Sequence, residues 1–508
     1  MNRELNFSKK VFFLLLVLVG LSSVHATAEV RLPGLFCDNM VVQCEMWVPV
    51  WGWADPGEKV TVEFNGSSLS AVADSQGKWK VLLEPMTAGA GPYTMKVSGG
   101  NTVTINNVAI GEVWLCSGQS NMAMTVGSCL NAEQEAAGAV YPLIRQFQVK
   151  RGKALEPLDD VLPTGDKSSW LNTWVPCSPA TVKDFTGTGY FFGREVHLTQ
   201  GVPVGLIHSS WGGTAAEAWT RRCRLESDPE LNRILQSWPG YNSEMGWLNT
   251  QYEKYLALAD SAHNAGQPDP LYFNQPTVLY NAMIAPIIPY AMRGVVWYQG
   301  EANAYRTYQY RRLFPAMIRN WRDDWGQGDF PFFFVQLVNY EEGSGTWPYL
   351  REAQTMTLSL PNTAMAVGID VGERDDIHPK NKQEVGRRLS LAARAKVYGE
   401  KLIYSGPLYR CMKVDGNRCR ISFDHAGEGL VAKDGKSLEG FLIAGWDKEF
   451  VEAQAVVEGG QLVVWSESVA HPVAVRYAWA DSPEKCNLWN KVDGKPWLPA
   501  SPFRTDDW

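Results

Sequence analysis

The chain has 508 residues, with 47 Lys and Arg against 54 Asp and Glu, and a formal charge of −7. With 45% hydrophobic and 20% charged residues it carries apolar material for several cores. That excludes disorder over its length, and about 150 residues per domain gives roughly three domains. The acidic balance excludes a nucleic-acid protein, whose affinity comes from Lys and Arg on phosphates. The 21 Trp, 19 Tyr and 19 Phe fit a sugar ligand, because aromatic faces stack on sugar rings; β-sandwich cores account for the same load equally well.

The first segment reads as an address. Lys9 and Lys10 precede an apolar run at 11–21, and Ala26-Thr27-Ala28 offers an A-x-A cleavage site. The run is shorter than the ~20 residues of a spanning helix. Residues 1–28 are therefore expected to be a cleaved signal peptide of an exported protein, periplasmic or extracellular, with no transmembrane segment left. Losing Arg3, Glu4, Lys9 and Lys10 carries the formal charge from −7 to −9. Nine cysteines are few and odd in number, which does not read as a disulfide scaffold. Cys411 and Cys419 flank a hairpin-turn signal, Val414-Asp415-Gly416-Asn417, and are expected to lie within reach of a cross-strand bridge. Cys116, in an apolar strand, reads as a buried free thiol. No C-x-x-C pair or His-rich spacing predicts a metal site.

Residues 29–108 predict an N-terminal β-sandwich: short β-rich runs at 48–54, 60–64, 79–83 and 93–97 are separated by turn signals such as Asp55-Pro56-Gly57 and Asn65-Gly66. From 109 to 402 the pattern changes. Apolar strands are predicted at 112–116, 202–208, 294–298, 331–337 and 363–369. Helical-period segments near 189–200, 276–287, 308–325, 347–358 and 380–398 alternate with them. This is the pattern of an α/β fold with a doubly wound parallel sheet. The stretches near 122–185 and 219–275 fit it poorly and are expected as insertions over the sheet edge. Residues 403–508 return to β, with runs at 418–423, 442–446, 453–457, 461–465 and 473–479; the last stretch, 488–508, holds three prolines and is expected to run as a fixed loop.

In open α/β sheets ligands bind beyond the carboxyl ends of the strands. The first strand runs into Ser117-Gly118-Gln119-Ser120-Asn121, the second into Ser209-Ser210-Trp211-Gly212-Gly213, the third into Gln299-Gly300-Glu301-Ala302-Asn303, and the last into Asp370 to Asp376 and His378. Acyl transfer needs this set of parts. A serine hydroxyl is weak until a base takes its proton, and His378 is the natural base for Ser120. The oxyanion needs preorganised donors: the N–H of Ser120, that of Gly212 or Gly213, and the Asn303 amide. A carboxylate orients the histidine: Asp375, three residues before it, is the expected acid, with Asp376, two before, as its competitor and a backbone carbonyl as the alternative. The G-x-S-x-G nucleophile elbow is absent around Ser120.

The segments GEVWLCSGQSNM, SSWGGTAAEAW, VVWYQGEANA and DDIHPKNK, with GFLIAGWDKEF, VAVRYAW and SPFRTD further on, resemble the sialate O-acetylesterases within the SGNH hydrolases. The resemblance covers most of the chain after residue 28. It implies an SGNH-type α/β/α catalytic domain flanked by N-terminal and C-terminal β domains. It also implies Ser120 as nucleophile, Gly212 or Gly213 and Asn303 in the oxyanion hole, and His378 as base. The expected activity is a cofactor-free serine esterase acting on O-acetylated sialic acid, with Gln119, Trp211, Gln299 and Glu301 against the substrate and Arg306 near its carboxylate. An acetyl xylan esterase or other carbohydrate deacetylase is the alternative within the class. A metal-dependent hydrolase using Asp370, Glu373, Asp375, Asp376 and His378 leaves Ser120 and Asn303 without roles, and a non-catalytic glycan-binding protein leaves the whole set without one.

Overall fold

A computed structural model describes residues 29–164, 170–238, 246–265, 267 and 270–508. The expected signal peptide lies outside the described residues.

Six strands build the central parallel sheet: β1 (Thr102–Gly118), β2 (Ile144–Gln148), β3 (Val204–Ser210), β4 (Gly294–Tyr298), β5 (Phe332–Val335) and β6 (Thr363–Ala366). They pair in the order β2-β3-β1-β4-β5-β6, with Trp174–Pro176 antiparallel outside β2. From β1 the chain goes to β2, returns to β3 beside β1, and then crosses to β4 on the other side and runs outward to β6, so the topological switch lies between β1 and β4. Both faces are covered. Trp297, Phe332 and Phe334 pack on Leu313, Phe314 and Trp321 of α2 (Thr307–Trp325) and Leu350 of α3 (Trp347–Met356). Trp114, Val296 and Phe333 face Tyr190 to Val196 of α1 (Gly187–Gln200) and Val385 and Leu389 of α4 (Lys382–Lys396). This is an α/β/α sandwich. Strands apolar on both faces form because each residue buried this way contributes roughly 1.5–3 kcal/mol.

β1 is far longer than the run expected at 112–116. Its first half pairs antiparallel with Gly89–Ser98 of the N-terminal β region, and its second half is the centre of the α/β sheet. β2 lies inside the stretch expected as an insertion, 122–185. Its sequence, IRQFQ, hid it: Arg145 and Gln146 are buried by hydrogen bonding rather than by apolar character. Arg145 donates to the carbonyls of Asn39, Met40 and Asn107 at 2.8, 3.3 and 2.5 Å, tying the N-terminal region to the sheet edge. Residues 219–275 are helical over Arg222–Glu226, Pro229–Ser237 and Gly246–Asn264. The α-helix expected at 276–287 is instead a π-turn at Tyr280–Ile284 followed by a 3-10 turn at Ala285–Ile287, where Pro286 has no N–H to continue a ladder.

The C-terminal region is a set of small antiparallel sheets. The loop expected at 488–508 is in fact paired: Leu488–Val492 and Lys495–Pro499 form a hairpin, with two prolines on the edge strand, where a missing N–H costs nothing. Cys411 and Cys419 are corrected too. The hairpin forms, but Cys419 faces Val414 and Cys411 faces Ser422, and both thiols are free. Cys116 is buried and free, and burial pushes its thiol up.

Replacing Arg145 with Met would take a donor from three backbone carbonyls, one of which, Met40 O, also accepts from Ala109 N–H. At ~1–3 kcal/mol for a polar group that loses its partner, R145M should lower unfolding stability by about 1–3 kcal/mol in urea titration.

Candidate active site

The carboxyl ends of β1, β3 and β4 meet at Gly118. Its φ is +135°, and a Cβ there would sit 2.1 Å from the Tyr298 carbonyl oxygen, so only glycine lets β1 leave the sheet at this point. Gln119 N–H then donates to that same carbonyl at 3.0 Å, and Ser120 opens a short helix, Ser120–Ala123. Helix starts leave N–H groups without partners, and among the described residues the Ser120 N–H has no acceptor.

β3 delivers the second wall. Trp211 N–H donates to Gly118 O at 3.2 Å, which brings Gly212 onto Ser120. A Cβ at Gly212 would lie 3.2 Å from Ser120 Cβ, tight against the serine. The two glycines thus divide the work: Gly212 gives close approach, and Gly213, at φ +74°, gives the left-handed turn. Asn274 pins this loop by donating to Gly213 O and accepting from Ala215 N–H, both at 2.7 Å.

Asn303 follows β4, is 1% exposed and is held on both sides. Its Oδ1 accepts from Ala216 N–H at 2.9 Å and Gln299 Nε2 at 2.7 Å, which fixes the amide's orientation. Its Nδ2 gives one proton to Glu217 at 3.0 Å and keeps a second. Glu217 is fully buried and paired with Arg306.

His378 lies on the loop before α4, which starts where Asn381 accepts from Glu384 N–H at 3.1 Å. The histidine side chain remains 44% exposed. Asn121, next to the serine, donates to Ile377 O at 3.0 Å, next to the histidine, so the two loops are stitched together. The Asn121 Oδ1 accepts from Lys382 Nζ at 2.6 Å, and Lys382 also donates to Pro379 O at 2.7 Å. Asn121 further donates to Glu301 at 2.6 Å. Burial pulls the Lys382 ammonium down to about 8 and pushes the Glu301 carboxyl up. The His378 imidazole is held below its ordinary value, first by desolvation and then by Lys382, against an opposing pull from Asp376. It is therefore neutral near pH 7, as a general base requires.

Of the two acids, Asp376 is the one beside the histidine: its Oδ1 accepts from His378 N–H at 2.8 Å and lies 3.9 Å from Nδ1. Asp375 is exposed on the turn. Asp370 is turned away onto Arg388 at 2.6 and 2.8 Å, so the acidic run does not converge; among the described residues no three His, Cys, Asp or Glu side chains do.

The residues expected against substrate are revised. Gln119, Gln299 and Glu301 are buried: Gln119 accepts from Ala302 N–H at 3.2 Å, Gln299 donates to Thr214 O at 3.1 Å, and Glu301 holds Asn121. Arg306 braces Glu217 and donates to Gln309 at 2.7 Å. Trp211 is partly exposed and stacks on Phe273 at 5.8 Å and 14°. Trp114 and Trp297 are buried core. Asn121, Glu217, Asn274 and Lys382 were missed by sequence reading; no periodicity marks them, although Asn121, Glu217 and Lys382 sit inside the quoted motifs.

The family of carbohydrate esterases described as sialic acid-specific acetylesterases matches residues 110–395, the segment that carries all of these groups. The chain belongs to that family. It is 32% identical to the sialate O-acetylesterase of Mus musculus over 97% of each chain. Against that of Homo sapiens it is 31% identical over 98% of this chain and 97% of the other. The crystal structure of a carbohydrate acetylesterase from Xanthomonas citri superposes with a TM-score of 0.80 and 38% identity, over 94% of this chain and 100% of that one. As a member of the family the protein is an esterase, and its α/β sheet with β regions on either side is the architecture expected of it.

The electrostatics around His378 set a pH dependence with opposite signs at two positions. The acid limb of kcat/KM should fall below pH 6.5. K382M, which removes a nearby positive charge, should move that limb to higher pH, and D376N, which removes a negative one, should move it lower. Rate profiles between pH 4 and 9 check both directions.

Proposed function

We propose that the protein is an exported serine esterase that removes O-acetyl groups from sugars, with O-acetylated sialic acid as its substrate, through an acetyl-serine intermediate. One observation carries this reading. Gly212 is seated against Ser120 while Asn121 joins the serine's helix to the loop of His378, which supports reading these residues as parts of one site. The sialate O-acetylesterase relatives supply the substrate class, and the Xanthomonas carbohydrate acetylesterase supplies the broader one.

In the proposed cycle His378 takes the Ser120 proton as the oxygen attacks the acetyl carbonyl. The oxyanion accepts hydrogen bonds from the N–H of Ser120, the N–H of Gly212 and the remaining Nδ2 proton of Asn303. The tetrahedral species collapses, the sugar oxygen leaves, and His378 returns the proton to it. Water then attacks the acetyl-serine with His378 again as base, releasing acetate and restoring Ser120. Asp376 orients the imidazole and offsets its positive charge. Glu217, through Asn303, holds the amide so that its free proton stays aimed at the site.

S120A should abolish acetate release from O-acetylated sialic acid, with loss approaching the ~10⁶-fold of a dismantled triad, at unchanged thermal stability. Acetylated xylan assayed beside it separates a sialate enzyme from a general deacetylase. Near-full activity of S120A would overturn the reading. Export predicts a mature N-terminus at Glu29, read by N-terminal sequencing of the secreted protein.

A further inference from the structure

The function proposed above leaves open how the enzyme would tell an acidic sugar from a neutral one. Arg306, the arginine the sequence offered for that task, is committed to buried Glu217. A second guanidinium is better placed. Arg151 follows the end of β2 on the same edge of the sheet as Ser120. Its Nε donates to Ser210 O at 3.1 Å, and its guanidinium carbon lies 5.9 Å from the centre of the Trp211 ring. Ser210 pairs in register with Gly118, and Gly212, two residues on, touches Ser120. Arg151 thus lies against the start of the loop that carries Gly212, on the Trp211 side.

We propose that Arg151 is the subsite for the carboxylate of the acetylated sugar acid. This rests on the sialate reading of the site and names the group that gives it its specificity. With Nε used on Ser210, both terminal nitrogens remain, and a guanidinium fork matches a carboxylate in two parallel hydrogen bonds. No described carboxylate forms an ion pair with Arg151. Arg151 is exposed to solvent beside the Trp211 ring, where an incoming anion can reach it. The local charge agrees: Lys150, Arg151 and Lys153 cluster at the exit of β2 in a chain of net charge −7. The two lysines are tethered to backbone, Lys150 to Pro163 O at 2.5 Å and Lys153 to Leu271 O at 2.6 Å, which leaves Arg151 as the cation of this segment that meets the Trp211 loop. The Trp211–Phe273 pair supplies an apolar face for the ring between carboxylate and acetyl group.

The test compares 9-O-acetylated sialic acid with its C1 methyl ester, which keeps the acetyl group and removes the charge. The wild-type enzyme should prefer the acid, mainly through KM. R151Q should cut the acid-to-ester ratio of kcat/KM by about tenfold to a hundredfold, the range for a charge-assisted pair. R151K, which keeps the charge and loses the fork, should fall between. A purely structural arginine would lower both substrates together and leave the ratio intact. An unchanged ratio in R151Q, or a wild-type enzyme indifferent to the methyl ester, overturns the subsite while leaving the esterase reading in place. A wild-type enzyme that deacetylates xylan and neither sialate overturns the sialate reading, and the subsite with it.

Discussion

At residue 118 the backbone of the central strand passes so close to the carbonyl of Tyr298 that no side chain fits between them. That contact sets the end of β1, and the other site parts are positioned relative to it. Gln119 closes on the same carbonyl, which starts the helix at Ser120. Trp211 closes on the Gly118 carbonyl, which brings Gly212 to the serine. Asn303 comes from the strand that carries Tyr298. Three neighbouring strands in parallel register thus convert one steric limit into the positions of Ser120, Gly212 and Asn303, the proposed nucleophile and oxyanion donors, before any side-chain chemistry is considered.

The second layer of the site is electrostatic and lies out of solvent. Two acid–base pairs flank the reacting groups from below. Glu217 with Arg306 sits behind Asn303, and Glu301 with Lys382 sits on either side of Asn121. Buried charges are costly unless paired or hydrogen-bonded, and such sets add little to stability. Here they fix the direction of two amide side chains. An amide held by both of its ends cannot flip, and in the proposed role of Asn303 as an oxyanion donor that rigidity means no reorganisation in the transition state.

Much of this was legible in the sequence. Ser120, Gly212, Asn303 and His378 stand just after apolar strands, where the topology of an open α/β sheet puts ligands, and long motifs around them resemble a known family. What stayed hidden follows a physical pattern. β2 reads IRQFQ because Arg145 donates to backbone carbonyls and Gln146 accepts from the Thr186 N–H, so both are buried by hydrogen bonds and not by apolar contact. Asn121 and Lys382, 261 residues apart, meet only in the fold. Gln119, Gln299 and Glu301 looked like substrate contacts because they are polar and close to the motifs, yet the same polarity serves to satisfy buried backbone and amide groups. The spacing of Asp375 suggested a triad member, while the turn at 374–375 points it to water and leaves Asp376 beside the imidazole. Cys411 and Cys419 failed on register, which the turn decides and composition does not.

The continuous β1 strand has a consequence for how the molecule is inherited and handled. Its 17 residues belong half to the N-terminal sheet and half to the catalytic one, so the border between the two regions is a hydrogen-bonded ladder and not a linker. A fragment cut there would begin with a strand stripped of one set of partners and would expose a sheet edge open to pairing with other chains. The N-terminal region is therefore not a module that recombination or engineering can exchange freely, and the catalytic sheet reaches its final form only when residues far upstream have taken their places.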